Sequence, residues 1–110
     1  MDKTVVVLLG RTGIVIDTVQ RQLALPDLRL IGGTGIDDVR SAFAQGKVDH
    51  VLMGAGIDLD TRLQIVREIF ELSETTTVHM KDRVSGPGGF LPFLRAVLRG
   101  LRDYEPSSSD

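Results

Sequence analysis

The stretch that decides the fold is Thr4-Val5-Val6-Val7-Leu8-Leu9, and Gly10 follows it directly. An unbroken apolar and β-branched run of this length, with no polar alternation, is typical of a central parallel strand that is covered on both faces. The run is far too short to span a bilayer, and no small-residue cleavage pattern follows it. The sequence therefore predicts a buried strand here, and neither a membrane anchor nor a secretory signal.

Strands and helices alternate along the rest of the chain. Further strands are predicted at Leu28–Ile31, Asp49–Met53 and Thr76–Met80, with apolar residues at helical spacing between them. Single helices between strands imply right-handed crossovers and a parallel sheet. The predicted fold class is a three-layer α/β/α domain with a four-stranded parallel sheet in the order 2-1-3-4, of the flavodoxin-like, receiver-like or half-Rossmann kind.

Composition bounds the architecture and the partners. The 110 residues suffice for one core. We expect a single domain over residues 1–104 and a polar, disordered tail over 105–110. A net charge of −2 gives no field that would attract a polyanion, so nucleic acid is not expected as a partner. No membrane is expected either, because the apolar run at residues 4–9 is too short to span a bilayer. The absence of cysteine fits a cytoplasmic protein.

Two helices carry predictions about packing. The longest begins near Asp58 or Asp60, and its expected inward face is Leu59, Leu63, Val66, Ile69 and Phe70. The last helix, Phe90 to Leu101, has more apolar side chains than one side of a narrow sheet is expected to cover. We therefore expect a homodimer through this helix, with contacts from Phe90, Leu94, Val97, Leu98 and Leu101.

Glycines gather at three predicted strand-to-helix turns, at residues 10–14, 32–37 and 54–58. The turns start about 22 residues apart, which indicates a weak internal repeat of a βα unit. In one interpretation, backbone N–H groups at these helix N-termini bind a phosphate or carboxylate, and Thr12, Thr34 and Arg11 add donors. In the other, glycine supplies positive φ angles and close helix-on-strand packing. The candidate ligand-binding residues are Gly10, Arg11, Thr12, Gly13, Gly33, Thr34, Gly35, Gly54, Gly56, Asp58, His79 and Lys81.

The remaining polar candidates have structural alternatives. His79 and Lys81 near the end of the fourth strand can place an imidazole and a cation at the crevice, although a strand histidine more often packs and hydrogen-bonds. His50 begins the third strand, so the two histidines are expected at opposite edges of the sheet and no metal site is predicted. Asp58 is a helix-capping residue first.

The segment Val7–Ile16 resembles the start of a dinucleotide-binding Rossmann domain of the short-chain kind. Gly10 and Gly13 match the first two glycines of that motif, whereas Ile16 stands where the third would be. The acid expected at the end of the second strand is missing, because Ile31, Gly32 and Gly33 occupy that region. The resemblance implies NAD(P) binding as a second alternative function.

The segment Val78-His79-Met80-Lys81, with the helix that follows, resembles the receiver domains of bacterial two-component response regulators. Lys81 matches the lysine that ends the last strand in that family. The family's acidic pair falls at Gly10 and Arg11 here, and its phosphoacceptor aspartate falls at Met53 or Gly54. The resemblance implies a receiver-like fold that acts through protein contacts without aspartyl phosphorylation.

The functional prediction is a small binding module for a phosphate-bearing or otherwise anionic metabolite or nucleotide, without evident catalytic machinery. The alternative is a receiver-like interaction domain that lacks the phosphoacceptor. The sequence names no cofactor.

The missing acids lead to a first prediction. Acetyl phosphate should leave the protein unmodified, because no carboxylate stands where the phosphoryl group would be accepted. Intact-mass analysis checks this, with an active receiver domain treated in parallel as the positive control. A stoichiometric aspartyl phosphate on this chain would contradict the prediction.

Overall fold

The first strand, β1 (Thr4–Leu9), lies inside a parallel sheet in a computed structural model that describes residues 3–11, 16–24, 27–82 and 89–103. Its neighbours are β2 (Leu28–Gly33) and β3 (His50–Met53), and β4 (Thr77–Met80) pairs with β3. All three pairings are parallel and the strand order is β2-β1-β3-β4. The predicted topology is therefore confirmed.

The helices form two outer layers. They are α1 (Ile16–Leu23), α2 (Ile36–Gln45), α3 (Leu59–Leu72) and α4 (Phe90–Asp103). The chain steps from β1 to β2 and then crosses back to β3, so right-handed crossovers put α2 and α3 on the face opposite α1. Two separate cores result, one under α2 and α3 and one under α1 and α4. This confirms the three-layer α/β/α architecture.

Strand β1 supplies both cores in alternation. Val7 and Leu9 pack under α2 and α3, whereas Val6 and Leu8 pack under α1 and α4. All four side chains have 0% exposure. A strand buried on both faces has no polar position, which is why the run in the sequence does not alternate.

The end of β2 differs from the sequence expectation. Gly32 and Gly33, which were assigned to a turn, continue the strand and pair with Leu8 and Leu9. The pairing with β1 holds the glycines in extended backbone, and propensity gave no sign of this because glycine is depleted in strands. The turn after β2 therefore begins only at Thr34.

The inward face of α3 also differs. The buried residues are Arg62, Ile65 and Ile69. Of the expected set, Ile69 is buried and Val66 is half-buried against the core. Leu59, Leu63 and Phe70 were predicted to face inward, and they are instead 53%, 50% and 54% exposed.

In this rotation α3 makes polar contacts on two opposite flanks. Nη1 of Arg62 donates to the backbone oxygen of Lys81, just after β4, at 3.0 Å. On the other flank, Arg40 of α2 donates from Nε to Glu68 at 2.7 Å and from Nη2 at 2.7 Å. In this rotation Ile65 and Ile69 face the sheet. Leu59, Leu63 and Phe70 lie along one flank of α3 and do not face the sheet.

Helix α4 is covered more fully than expected. Leu94 and Leu98 are buried, and Phe90, Val97 and Leu101 are partly buried against the same core. The uncovered apolar surface that motivated a dimer through this helix is therefore not found, and the homodimer itself stays a prediction. Pro92 lies in the first turn of the helix, where proline is tolerated.

Within the described part of the chain, no helix combines the length and the hydropathy that crossing a membrane requires.

Candidate functional site at the carboxyl edge

The carboxyl ends of the four strands are tied together by backbone hydrogen bonds. The N–H of Gly10 donates to the oxygen of Gly33 at 3.1 Å, and the N–H of Gly54 donates to the oxygen of Leu9 at 2.9 Å. The N–H of Lys81 donates to the oxygen of Met53 at 2.9 Å. Each ladder thus continues one residue past its strand. The N–H groups of Gly10 and Gly54, which were candidates for anion binding, already have protein acceptors.

The turn after β2 holds a carboxylate of the protein itself. Oδ2 of Asp38 accepts from the N–H groups of Thr34 and Gly35, at 2.7 and 3.3 Å. This side chain occupies the N-terminal end of α2, where an external anion was expected to bind. A Cβ on Gly33 would overlap the Cβ of Asp38. Gly33 is therefore explained by the approach of Asp38.

Asp58 caps α3, as the sequence indicated. Its Oδ2 accepts from the N–H of Thr61 at 3.1 Å, and its Oδ1 accepts from the Thr61 hydroxyl at 2.7 Å. These two bonds, that of the hydroxyl first, lower the pKa of Asp58, and the charge of Arg62 adds to the effect. Both oxygens are engaged by one residue, so Asp58 is a capping group at this edge.

Gly54 and Gly56 are explained by close packing. A Cβ on Gly54 would lie 3.3 Å from Cε1 of Phe90, and one on Gly56 would lie 2.7 Å from the Cβ of Arg11. The turn after β3 thus touches the start of α4 and the turn after β1. Among the described glycines, only Gly46 has a positive φ, at 151°. The described glycines of these turns therefore need no positive φ, and close packing accounts for Gly33, Gly54 and Gly56.

The two histidines lie close together, contrary to the expectation from sequence. Thr77 Oγ1 lies 2.6 Å from Nδ1 of His50 and 2.9 Å from Nε2 of His79. The ring centroids are 6.5 Å apart. The register explains this, because His50 pairs with Thr77 and His79 pairs with Leu52, so the three polar side chains share the α1/α4 face of the sheet. His79 therefore belongs to a structural cluster with His50 and Thr77.

Partial burial sets the titration of this histidine cluster. Burial is the main cause that lowers the pKa of both His50 and His79. For His50, the charges of His79 and Lys47 act in the same direction and the carboxylate of Asp49 acts against them. With neutral rings, the Thr77 hydroxyl can donate to one imidazole and accept from the other.

Two buried cations remain at the edge. Lys81 is 3% exposed, and its Nζ donates to the backbone oxygen of Asp82 at 3.0 Å. Arg62 is 5% exposed and forms no ion pair with a carboxylate of the described residues. Its Nε is buried without a hydrogen-bond partner within the described part of the chain. Arg62 could not be singled out from the sequence, because an arginine between apolar positions is typical of a solvated helix face.

The candidates therefore divide into separate sets. The turn after β3 lies beside Arg11, and Lys81 follows the neighbouring strand, so Gly54, Gly56, Arg11 and Lys81 share one region. Gly33, Thr34 and Gly35 are engaged with Asp38, and His79 faces a helical layer. Thr12 and Gly13 lie outside the described residues. In the described ranges, no group of three or more histidine, aspartate or glutamate side chains is placed to hold a metal ion.

Comparison with known proteins adds no assignment: no protein-family model, no curated protein and no solved structure matches this chain.

The contact between Gly33 and Asp38 yields a second prediction. Gly33→Ala should lower the free energy of unfolding by about 1–3 kcal/mol, because the new methyl group overlaps Asp38 and strains or displaces the α2 cap. Gly35→Ala is the matched control: nothing lies within 4 Å of its added Cβ, so a change within about 1 kcal/mol is expected. Urea denaturation measures both. Equal losses in the two variants would contradict the explanation.

The histidine cluster yields a third prediction, on pH. The unfolded histidines take up protons near their ordinary pKa of about 6.5, whereas the folded ones resist protonation until lower pH. Unfolding therefore binds protons, and stability present above pH 6.5 is lost as the pH falls below it. Denaturation between about pH 7 and pH 5 should show this slope, and His50→Gln with His79→Gln should flatten it. An unchanged slope in the double variant would assign the effect to other groups.

Proposed function

We propose that this chain is a small α/β binding module for an anionic, phosphate-bearing ligand, held at the carboxyl edge beside β3 and β4. The observation that carries the proposal is the buried guanidinium of Arg62, whose Nε has no partner among the described residues. Removing a charge from water costs several kcal/mol unless a counter-charge compensates it. A bound anion would supply that counter-charge.

The surroundings of Arg62 favour an anion over a cation. Lys81 is a second buried cation, and the bond from Arg62 Nη1 to its backbone oxygen brings the two residues together. Arg11 lies on the other side of the turn after β3, against Gly56. Two carboxylates lie nearby: Thr61 engages both oxygens of Asp58, and Asp82 directly follows Lys81 in the chain.

Backbone donors supplement the cations. Within the described part of the chain, the N–H groups of Ala55 and Gly56 have no backbone acceptor. They belong to the turn that leads into α3, whose N-terminal end favours negative charge. The proposed binding region is therefore the turn after β3. The turn after β2 is not proposed, because the side chain of Asp38 occupies it. Receiver domains hold acidic residues at this edge, whereas this chain has Gly10, Arg11, Met53 and Gly54 at the corresponding positions.

The fourth prediction tests the proposal with pyrophosphate as the probe. Thermal unfolding should show stabilisation that grows with pyrophosphate concentration, by about 2.7 kcal/mol at 100 times the Kd. Lys81→Met and Arg11→Gln should each weaken binding by about tenfold or more, since a hydrogen bond to a charged group contributes about 1.5–3 kcal/mol. Amide NMR spectra should show the largest shifts at Ala55 and Gly56.

Lys47→Met provides the control for general charge. Lys47 is exposed and pairs with Asp49 at the amino end of β3, away from the carboxyl edge. Pyrophosphate affinity should be unchanged in this variant. Equal loss in all three variants would mean unspecific attraction, and no stabilisation of the folded parent by pyrophosphate or inorganic phosphate would overturn the proposal.

A second candidate function is a receiver-like domain that acts through protein contacts. The exposed leucine and phenylalanine side chains of α3 favour it, because large apolar groups in one stripe on a surface mark interaction sites. Helix α4, through which a homodimer was expected, shows no such exposed apolar stripe among its described residues. NAD(P) binding has less support, since Gly32 and Gly33 are strand residues and no acid ends β2.

A further inference from the structure

The outer stripe of α3, formed by Leu59, Leu63, Val66 and Phe70, lies on one side of the helix. Its members are separated by four, three and four positions, which is the spacing of the seam residues in a helix pair. Leu59, Leu63 and Phe70 are half-exposed, and Val66 is partly buried beneath them against the core. This pattern indicates a helix face that packs against another helix.

The stripe lies on the side of α3 that faces away from α2. Glu68, on the α2 side, pairs with Arg40 of that helix, whereas Arg62 reaches the chain just after β4. Strand β4 is the last strand in the sheet order, so the outer side of α3 and the outer edge of β4 lie together. Met80 of β4, 41% exposed, adds to the apolar surface there.

The charges beside the stripe point to the occupant. Asp60 and Arg67 flank it on the solvent side, and both are exposed without an ion pair in the described ranges. They are about 10 Å apart along the helix axis, too far to pair within one chain. An antiparallel second α3 with the same sequence would bring each aspartate beside an arginine, and would lay Leu59 against the other copy's Phe70 and Leu63 against its Val66.

We propose that this surface is the interface of a homodimer, in which α3 packs antiparallel against α3 of a second copy about a two-fold axis. Such an interface is isologous, and the stripe and its flanking charges are self-complementary under that rotation. A two-fold axis perpendicular to the sheet would also run the two β4 edges antiparallel, which continues the contact beyond the helices. This dimer differs from the one expected through α4 and is independent of anion binding.

The fifth prediction is a dimer in sedimentation equilibrium, with twice the chain mass of 12.0 kDa. Leu63→Gln should weaken dimerisation by about tenfold or more, because the leucine is lost from both sides of the seam. Leu72→Gln is the matched control: Leu72 is 53% exposed on the same helix but outside the stripe, and its replacement should leave the dimer unchanged. Circular dichroism verifies that both variants fold.

Charge reversal tests the antiparallel geometry. Asp60→Arg and Arg67→Asp should each weaken the dimer by about fivefold, since each puts like charges opposite one another twice. Mixing the two variants should restore association, because every cross-pair then joins opposite charges. A protein that stays monomeric at high concentration, a dimer insensitive to Leu63→Gln, or a mixture no tighter than its components would each overturn the proposal.

Discussion

The pairing of β1 with a strand on each side is the constraint on which the rest of the structure depends. Because Val6, Val7, Leu8 and Leu9 are fully buried, both faces of the strand must be covered, and the chain has to place helices on opposite sides. The reversal of direction between β1 and β3 achieves this and leaves the turns after these two strands in contact. Arg11 and Gly56 meet there as a direct result of that topology.

The topology could be predicted because it depends on features that are local in sequence. The apolar run of β1 and the alternation of strands and helices are sufficient for a parallel sheet and its order. The face of α3 could not be predicted, since two stripes compete on this helix, and the more apolar one is not the one that faces the sheet. In the observed rotation Arg62 reaches Lys81 and Glu68 reaches Arg40, and these are tertiary contacts between distant residues that the periodicity does not reveal.

The candidate site shows the same division. The sequence correctly indicated that glycines gather at the carboxyl edge and that Asp58 caps a helix. It did not indicate that the protein's own groups satisfy most of the donors: Asp38 takes two N–H groups, and the extended strand ladders take two more. Asp38, three residues after Gly35, carried a capping signal that could have been found. No sequence signal pointed to Arg62 or to the Thr77 hydroxyl that two histidines share. Burial determines the role of the first, and cross-strand register determines the contacts of the second.

The sheet order also explains why the exposed surface lies where it does. In a flavodoxin-like sheet of order 2-1-3-4-5, a fifth strand would pair with β4 and a further helix would pack beside α3. Among the described residues the sheet ends at β4, so the flank of α3 and the edge of β4 are uncovered together. Leu59, Leu63, Phe70 and Met80 are therefore exposed along this flank and edge. Helix α4 leaves no comparable flank exposed, because it lies on the opposite face of the sheet and packs over β1 and β3, where Leu94 and Leu98 are buried.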